Sequence, residues 1–193
     1  MAANIVDDTD IQVAVQGFER LSETVDALII APRVVTNPQR NKKIQEAVAH
    51  IGKELSFLSQ LIPTDRPRIL FVDTYGDLEN LYEHCCVTYL GCGFDTRKRG
   101  FDPMESLSAG VPVILGPIYD FNRIALDSLK NTEGVHILEQ KEGAVEDFVR
   151  LAKGLSEQKP AVHELQGVLE NRALDPLRVV DELLGDLVAR GNS

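Results

Sequence analysis

Residues 68–90 read RILFVDTYGDLENLYEHCCVTYL, and this stretch decides the fold class. Arg68 to Val72 is a short apolar run of the kind shown by a strand buried on both faces. The turn formers of 73–77 follow, with Asp73 or Thr74 suited to cap a helix. From Asp77 to His84, Leu78, Leu81 and Tyr82 fall on one helical face. Cys86 to Leu90 is a second strand and stops at Gly91. Strand, helix and strand in direct succession argue for a parallel sheet.

The alternation extends in both directions. Upstream, Asp10 to Ser22 carries Ile11, Val15, Phe18 and Leu21 at helical spacing. Asp26 to Ala31 is a strand before Pro32. Gln39 to Gln60 reads as one long amphipathic helix, with Ile44, Val48, Ile51, Leu55 and Leu58 inward. Downstream, Asp102 to Ala109 is a helix stopped by Gly110. Pro112 to Leu115 is a strand closed by Gly116-Pro117, Phe121 to Leu129 a helix, Val135 to Leu138 a strand, and Glu142 to Leu155 a helix. Val162 to Asn171 and Pro176 to Arg190 are two further helices with no strand between them. The expected architecture is α/β: a Rossmann-like parallel sheet with helices on both faces, followed by C-terminal helices, in a single domain over residues 1–193. Such domains open with a strand near the centre of the sheet. Only Ala2 to Val6 can supply it, and that run is short. The sequence therefore predicts a sheet entered one strand late, with exposed edges that promote association.

Composition narrows the function. The chain has 193 residues, 44% hydrophobic and 26% charged, enough for a sizeable core. No apolar run approaches the roughly 18 residues of a membrane span, and MAANIVDDTD has no signal-peptide pattern. A cytoplasmic location is the expectation. A net charge of −10 argues against nucleic acid, whose backbone needs clustered Lys and Arg. It leaves room for one small anion in a locally basic pocket. Cys85, Cys86 and Cys92 lack C-x-x-C spacing and read as thiols beside a strand. His50, His84, His136 and His163 show no ligand pairing, so no metal and no cofactor is expected.

Ligands of open α/β sheets sit outside the carboxyl ends of the strands. Here those ends are the loops at 32–38, 73–77, 91–102 and 116–121. The third is the richest. Arg97, Lys98, Arg99 and Gly100 lead into a helix start in which Asp102 suits the N-cap, Pro103 the first helical position and Glu105 a capping box. Helix amides, cations, and glycines at 91, 93 and 100 that permit close approach suit a phosphate. Glu105, one turn in, can accept hydrogen bonds from a ribose diol. The same residues also fit a solvated loop and an ordinary capped helix, and the Asp102 carboxylate competes with an anion for the amides. Arg33, after the strand at 26–31, reads as an anion clamp or a surface arginine. Asn122 can orient a polar ligand. There is no nucleophile elbow, no P-loop, and no histidine partner evident for Ser106 or Ser108.

In combination, VDTYGDLENLYEHCCVTYLGCGF and GFDPMESLSAGVPVILGPIYDFNRIA resemble the carboxyl-terminal domain of 3-deoxy-D-manno-octulosonic acid (Kdo) transferases, GT-B enzymes of lipopolysaccharide core biosynthesis. IIAPRV and ENRALDPLRVVDELL extend the likeness over most of the chain. The resemblance implies half of a GT-B fold that binds the nucleotide of CMP-Kdo or a similar nucleotide sugar. On matching positions, Arg33, Arg97, Lys98, Arg99 and Gly100 would meet the phosphate. Pro103 would open the amide-bearing helix and Glu105 would hold the ribose. Asp73 and Gly76 would line the base or phosphate side, and Asn122 would lie near the sugar. The chain departs from the family pattern at Val34 and Phe101, where the family has histidine, and at Asp102, where it has asparagine. The family's amino-terminal domain carries the acceptor surface, the membrane association and the glutamate that acts as base, and this chain shows no counterpart. The resemblance therefore implies a donor domain incomplete for transfer, served by a separate acceptor domain and reaching the inner membrane only through such a partner. Two alternatives keep the architecture without the activity: an interaction module derived from a glycosyltransferase, and a nucleotide-sugar epimerase-like domain.

Overall fold

The computed structural model describes residues 1–62, 64–95, 102–118, 134–139 and 141–158. The helices expected at 121–129, 162–171 and 176–190 lie outside these residues.

Seven parallel strands form one sheet: β1 (Ala2–Ile5), β2 (Leu28–Pro32), β3 (Ser56–Phe57), β4 (Ile69–Phe71), β5 (Thr88–Leu90), β6 (Val113–Leu115) and β7 (Val135–Ile137). Their order is β3-β4-β2-β1-β5-β6-β7. Apart from the short edge strand β3, this is the doubly wound order, which reverses direction between β1 and β5. The helices are α1 (Asp8–Leu21), α2 (Pro38–His50), α3 (Leu78–Tyr82), α4 (Met104–Ser108) and α5 (Ala144–Gln158).

The late start expected from the sequence is overturned. Ala2 pairs with both Ile30 and Tyr89, so residues 2–5 are the central strand. Ala2, Ala3 and Ile5 are buried, as a strand covered on both faces requires. The register shifts between Ala3 and Ile5, around Asn4 at φ 55°, a left-handed value that asparagine tolerates. This bulge hides the strand in the sequence pattern.

Side chains of successive strand residues point to opposite faces, and the core divides accordingly. One layer joins Ile5, Ile30, Phe71, Tyr89 and Ile114 to α1, α2 and α5. On the other face, Ile29, Leu70 and Val72 pack with Leu81 of α3. α1 and α5 approach so closely that a Cβ on Gly17 would lie 2.4 Å from the Phe148 ring.

The long helix expected over 39–60 ends at His50. Gly52 adopts φ +66°, and the chain then forms β3 and a single 3-10 turn at 58–60. Leu55 and Leu58 kept the helical period by coincidence. They pack instead from a loop and from that turn.

The stop at Gly110 forms as expected. Its amide donates to Leu107 O at 2.9 Å and the Val111 amide to Ser106 O at 3.0 Å, with Gly110 at φ +70°. This is the Schellman arrangement. No atom lies within 4 Å of a Cβ built on Gly110, so only backbone strain opposes substitution. Gly110→Ala is expected to lower the unfolding free energy by about 1–2 kcal/mol. A urea midpoint unchanged from wild type would contradict the left-handed cap.

Candidate functional site at the carboxyl edge

The expected strand-end loops do lie along one edge. Arg33 follows β2, Asp73 follows β4, Gly91 follows β5 and Gly116 follows β6. The correction to β1 adds a fifth loop, Val6 to Asp7, at the topological switch point.

That switch point is filled by the chain itself. Asp7 caps α1, and its Oδ1 accepts from the Asp10 amide at 3.0 Å. The Asp10 side chain turns back into the sheet and is fully buried. Its carboxylate accepts from the amides of Val6 (2.9 Å), Asp7 (3.3 Å) and Cys92 (3.0 Å to each oxygen), and from the Tyr89 hydroxyl at 2.9 Å. Burial, followed by the charge of Asp7, pushes the Asp10 carboxyl above the ordinary aspartate range, against the opposing hydrogen bonds. Burial and Asp10 together push the Tyr89 phenol well up, so Tyr89 is a neutral donor.

The glycines after β5 serve this packing. A Cβ on Gly91 would lie 2.7 Å from Asn4 O and 2.9 Å from Asp10 Oδ2. Gly93 lies directly on Gly116, where an added Cβ would meet Gly116 Cα at 2.3 Å. Close approach is their role, as the sequence suggested, but the neighbour is the protein's own backbone.

The other proposed residues separate into three groups. Arg97, Lys98, Arg99, Gly100, Phe101 and Asn122 lie outside the described residues. Arg33 is exposed, and its amide donates to Ile5 O at 3.2 Å, which places it beside the switch point. Gly76 is exposed at φ +88°. Asp73 has a structural use, accepting from the Ser59 amide at 2.9 Å and from the Ser59 hydroxyl, which ties β4 to the turn after β3.

At α4 the N-cap falls on the buried Pro103, one residue later than the sequence predicts, so Asp102 precedes the helix; its Oδ1 takes the Met104 amide at 3.0 Å. The reciprocal arm of the expected capping box is different. Glu105 reaches across to α3, where the Tyr82 hydroxyl stands 3.4 Å from its Oε2. Burial, then Glu105, raises the Tyr82 phenol. Behind this pair the Ser106 hydroxyl lies 2.9 Å from Thr88 Oγ1, both residues being buried, so Ser106 anchors α4 to β5 and is no nucleophile.

A shallow polar crevice of about 560 Å³ borders the switch point, with Asp7, Asp8, Thr9, Lys43, Asp95 and Lys141 on its walls. Lys43 is paired with Asp8 at 2.7 Å. Sequence reasoning missed this region because it depends on recognising β1; the cluster DDTD directly after an apolar run was the available signal. A more enclosed cavity of about 440 Å³ lies at the opposite, amino edge, among Phe18, Val25, Leu28, Val87 and Phe148. It is apolar and remote from the polar strand-end loops, so the carboxyl edge remains the candidate site.

No family model matches the chain, and no curated protein matches its sequence. Among solved structures it is similar to the C-terminal CMP-Kdo binding domain of WaaA from Acinetobacter baumannii, with a TM-score of 0.64 and 15% identity over 81% of this chain and 86% of that one. The likeness establishes a shared Rossmann-like α/β fold. Among the described residues, no helix is long and apolar enough to cross a membrane.

Proposed function

We propose that this chain is a nucleotide-sugar-binding domain of the GT-B glycosyltransferase type, with CMP-Kdo or a close analogue as its ligand. The supporting observation is the exposed Glu105 carboxylate, set between α3 and α4 on the carboxyl edge of a fold shared with a CMP-Kdo binding domain. Glu105 would accept from the ribose diol, while Arg33 and the cations at 97–99 would meet the phosphate. The wider reading is Kdo transfer in lipopolysaccharide core assembly. Transfer needs a base at the acceptor hydroxyl, which a second domain would supply together with the acceptor.

Calorimetric titration with CMP tests the binding step. Heat of binding is expected, with Glu105→Ala and Arg97→Ala each weakening affinity roughly tenfold, the loss of a charge-assisted hydrogen bond. Absence of heat at millimolar CMP would sink the proposal.

A second reading, a partner-binding module with a decayed pocket, draws on the same edge. Val34, Tyr75 and Met104 are exposed there at 43%, 71% and 45%. Asp102 already occupies one α4 amide. This reading expects a silent CMP titration with the fold intact.

A further inference from the structure

We infer that Tyr82 is a positioning residue that sets the carboxylate of Glu105 for recognition of a vicinal diol; the inference rests on the nucleotide-binding reading above. Tyr82 ends α3 and is 2% exposed, so its ring is fixed by packing. Among the described residues, the Glu105 carboxylate is the partner its hydroxyl meets. Glu105 is exposed, and an exposed glutamate on a five-residue helix would otherwise sample several rotamers. The buried phenol selects one of them. It approaches Oε2 and leaves Oε1 without a hydrogen bond among the described residues.

The 3.4 Å separation is longer than a fully formed hydroxyl–carboxylate bond. Such contacts tighten when the ligand arrives. A diol donating to Glu105 would draw the carboxylate into its final position, with Tyr82 fixing Oε2. The phenol stays protonated throughout, because burial and the neighbouring carboxylate both hold its proton. The pair thus joins the helices that follow β4 and β5, and makes preference for a ribose over a deoxygenated sugar depend on a residue that itself touches no ligand.

Tyr82→Phe removes only the hydroxyl. With CMP it is expected to weaken binding roughly fivefold to tenfold, the range for one lost hydrogen bond. With 2′,3′-dideoxy-CMP, which has no diol, wild type and Tyr82→Phe should bind equally. Tyr82→Leu, which also removes packing, should lower the melting temperature, whereas Tyr82→Phe should leave it within a few degrees of wild type. Equal weakening toward both nucleotides, or no weakening toward CMP while the wild type binds it, would overturn the role of Tyr82 alone. A wild type silent toward CMP overturns this role together with the nucleotide reading.

Discussion

Asp10→Ala is expected to cost about 4 kcal/mol of folding stability, which would show as a large fall in the urea midpoint. The carboxylate is fully buried and accepts from the Val6, Asp7 and Cys92 amides and the Tyr89 hydroxyl. Alanine leaves these donors facing one another without an acceptor. Each unsatisfied buried donor costs about 1–3 kcal/mol, and relief from burying a carboxylate offsets part of the total. The damage should be spatially specific. The contacts of Asp10 join the turn after β1 to the turn after β5, so amide exchange at Val6 and Cys92 should accelerate before exchange in β2 or β4. A loss below about 1 kcal/mol would mean that the donors find other partners and that the switch point is not held by this side chain.

Asp10 also gives the stability a pH dependence with a definite sign. Its folded-state pKa lies above the unfolded value near 3.8. Between those two values the folded chain binds more protons than the unfolded one, so raising the pH favours unfolding. The stabilisation from Asp10 is complete below pH 3.8 and is lost as pH rises through the folded-state pKa. Asp10→Asn cannot titrate. The difference in unfolding free energy between wild type and Asp10→Asn should therefore shift against the wild type as pH rises through that window. A shift in the opposite direction would mean that the surrounding amides outweigh burial.

What the sequence made legible depended on how local each determinant was. Gly110 was readable because the Schellman closure involves residues within five positions of one another. The strands at 69–71 and 88–90, which lie on opposite sides of β2 and β1, were readable because a strand buried on both faces shows as a short, largely apolar run. By contrast, β1 was missed. It is four residues long and interrupted by Asn4, and it is recognisable as a strand only through its partners at 28–32 and 88–90. That omission removed the loop at 6–7 from the candidate site and with it the switch-point crevice. Asp10 read as an ordinary residue in the first turn of a helix. Its decisive contacts, with Tyr89 and Cys92, lie some eighty positions away, and no periodicity reports them. Helical spacing misled where it carried on across Gly52, since Leu55 and Leu58 fit a face that the backbone had already left. Asp73 looked like a ligand or a helix cap, and is used to hold Ser59.

Gly93→Ala is expected to be almost as damaging as Asp10→Ala, for a different reason. Gly93 and Gly116 follow the adjacent strands β5 and β6, and their backbones touch without intervening side chains. A Cβ at 93 would lie 2.3 Å from Gly116 Cα and 2.5 Å from Gly116 N. Neither atom belongs to a side chain that can rotate away. Relief requires the two loops to separate, which breaks the 3.0 Å hydrogen bond from the Ile118 amide to Gly93 O. Overpacking of this kind costs about 3 kcal/mol. The reciprocal variant, Gly116→Ala, meets Gly93 Cα at 2.5 Å and should cost a similar amount. If both act on the same contact, the double variant should lose clearly less than the sum of the two, because once the loops are apart the second methyl enters space already opened. Additive losses would show instead that each glycine is required by a separate neighbour. The consequence for binding follows from position: the Gly93 loop leads into the basic stretch 97–99, and the Gly116 loop leads toward Asn122. Under the proposed function, either alanine should therefore weaken CMP at temperatures where the fold persists, whereas Gly110→Ala, on the far side of α4, should leave affinity unchanged.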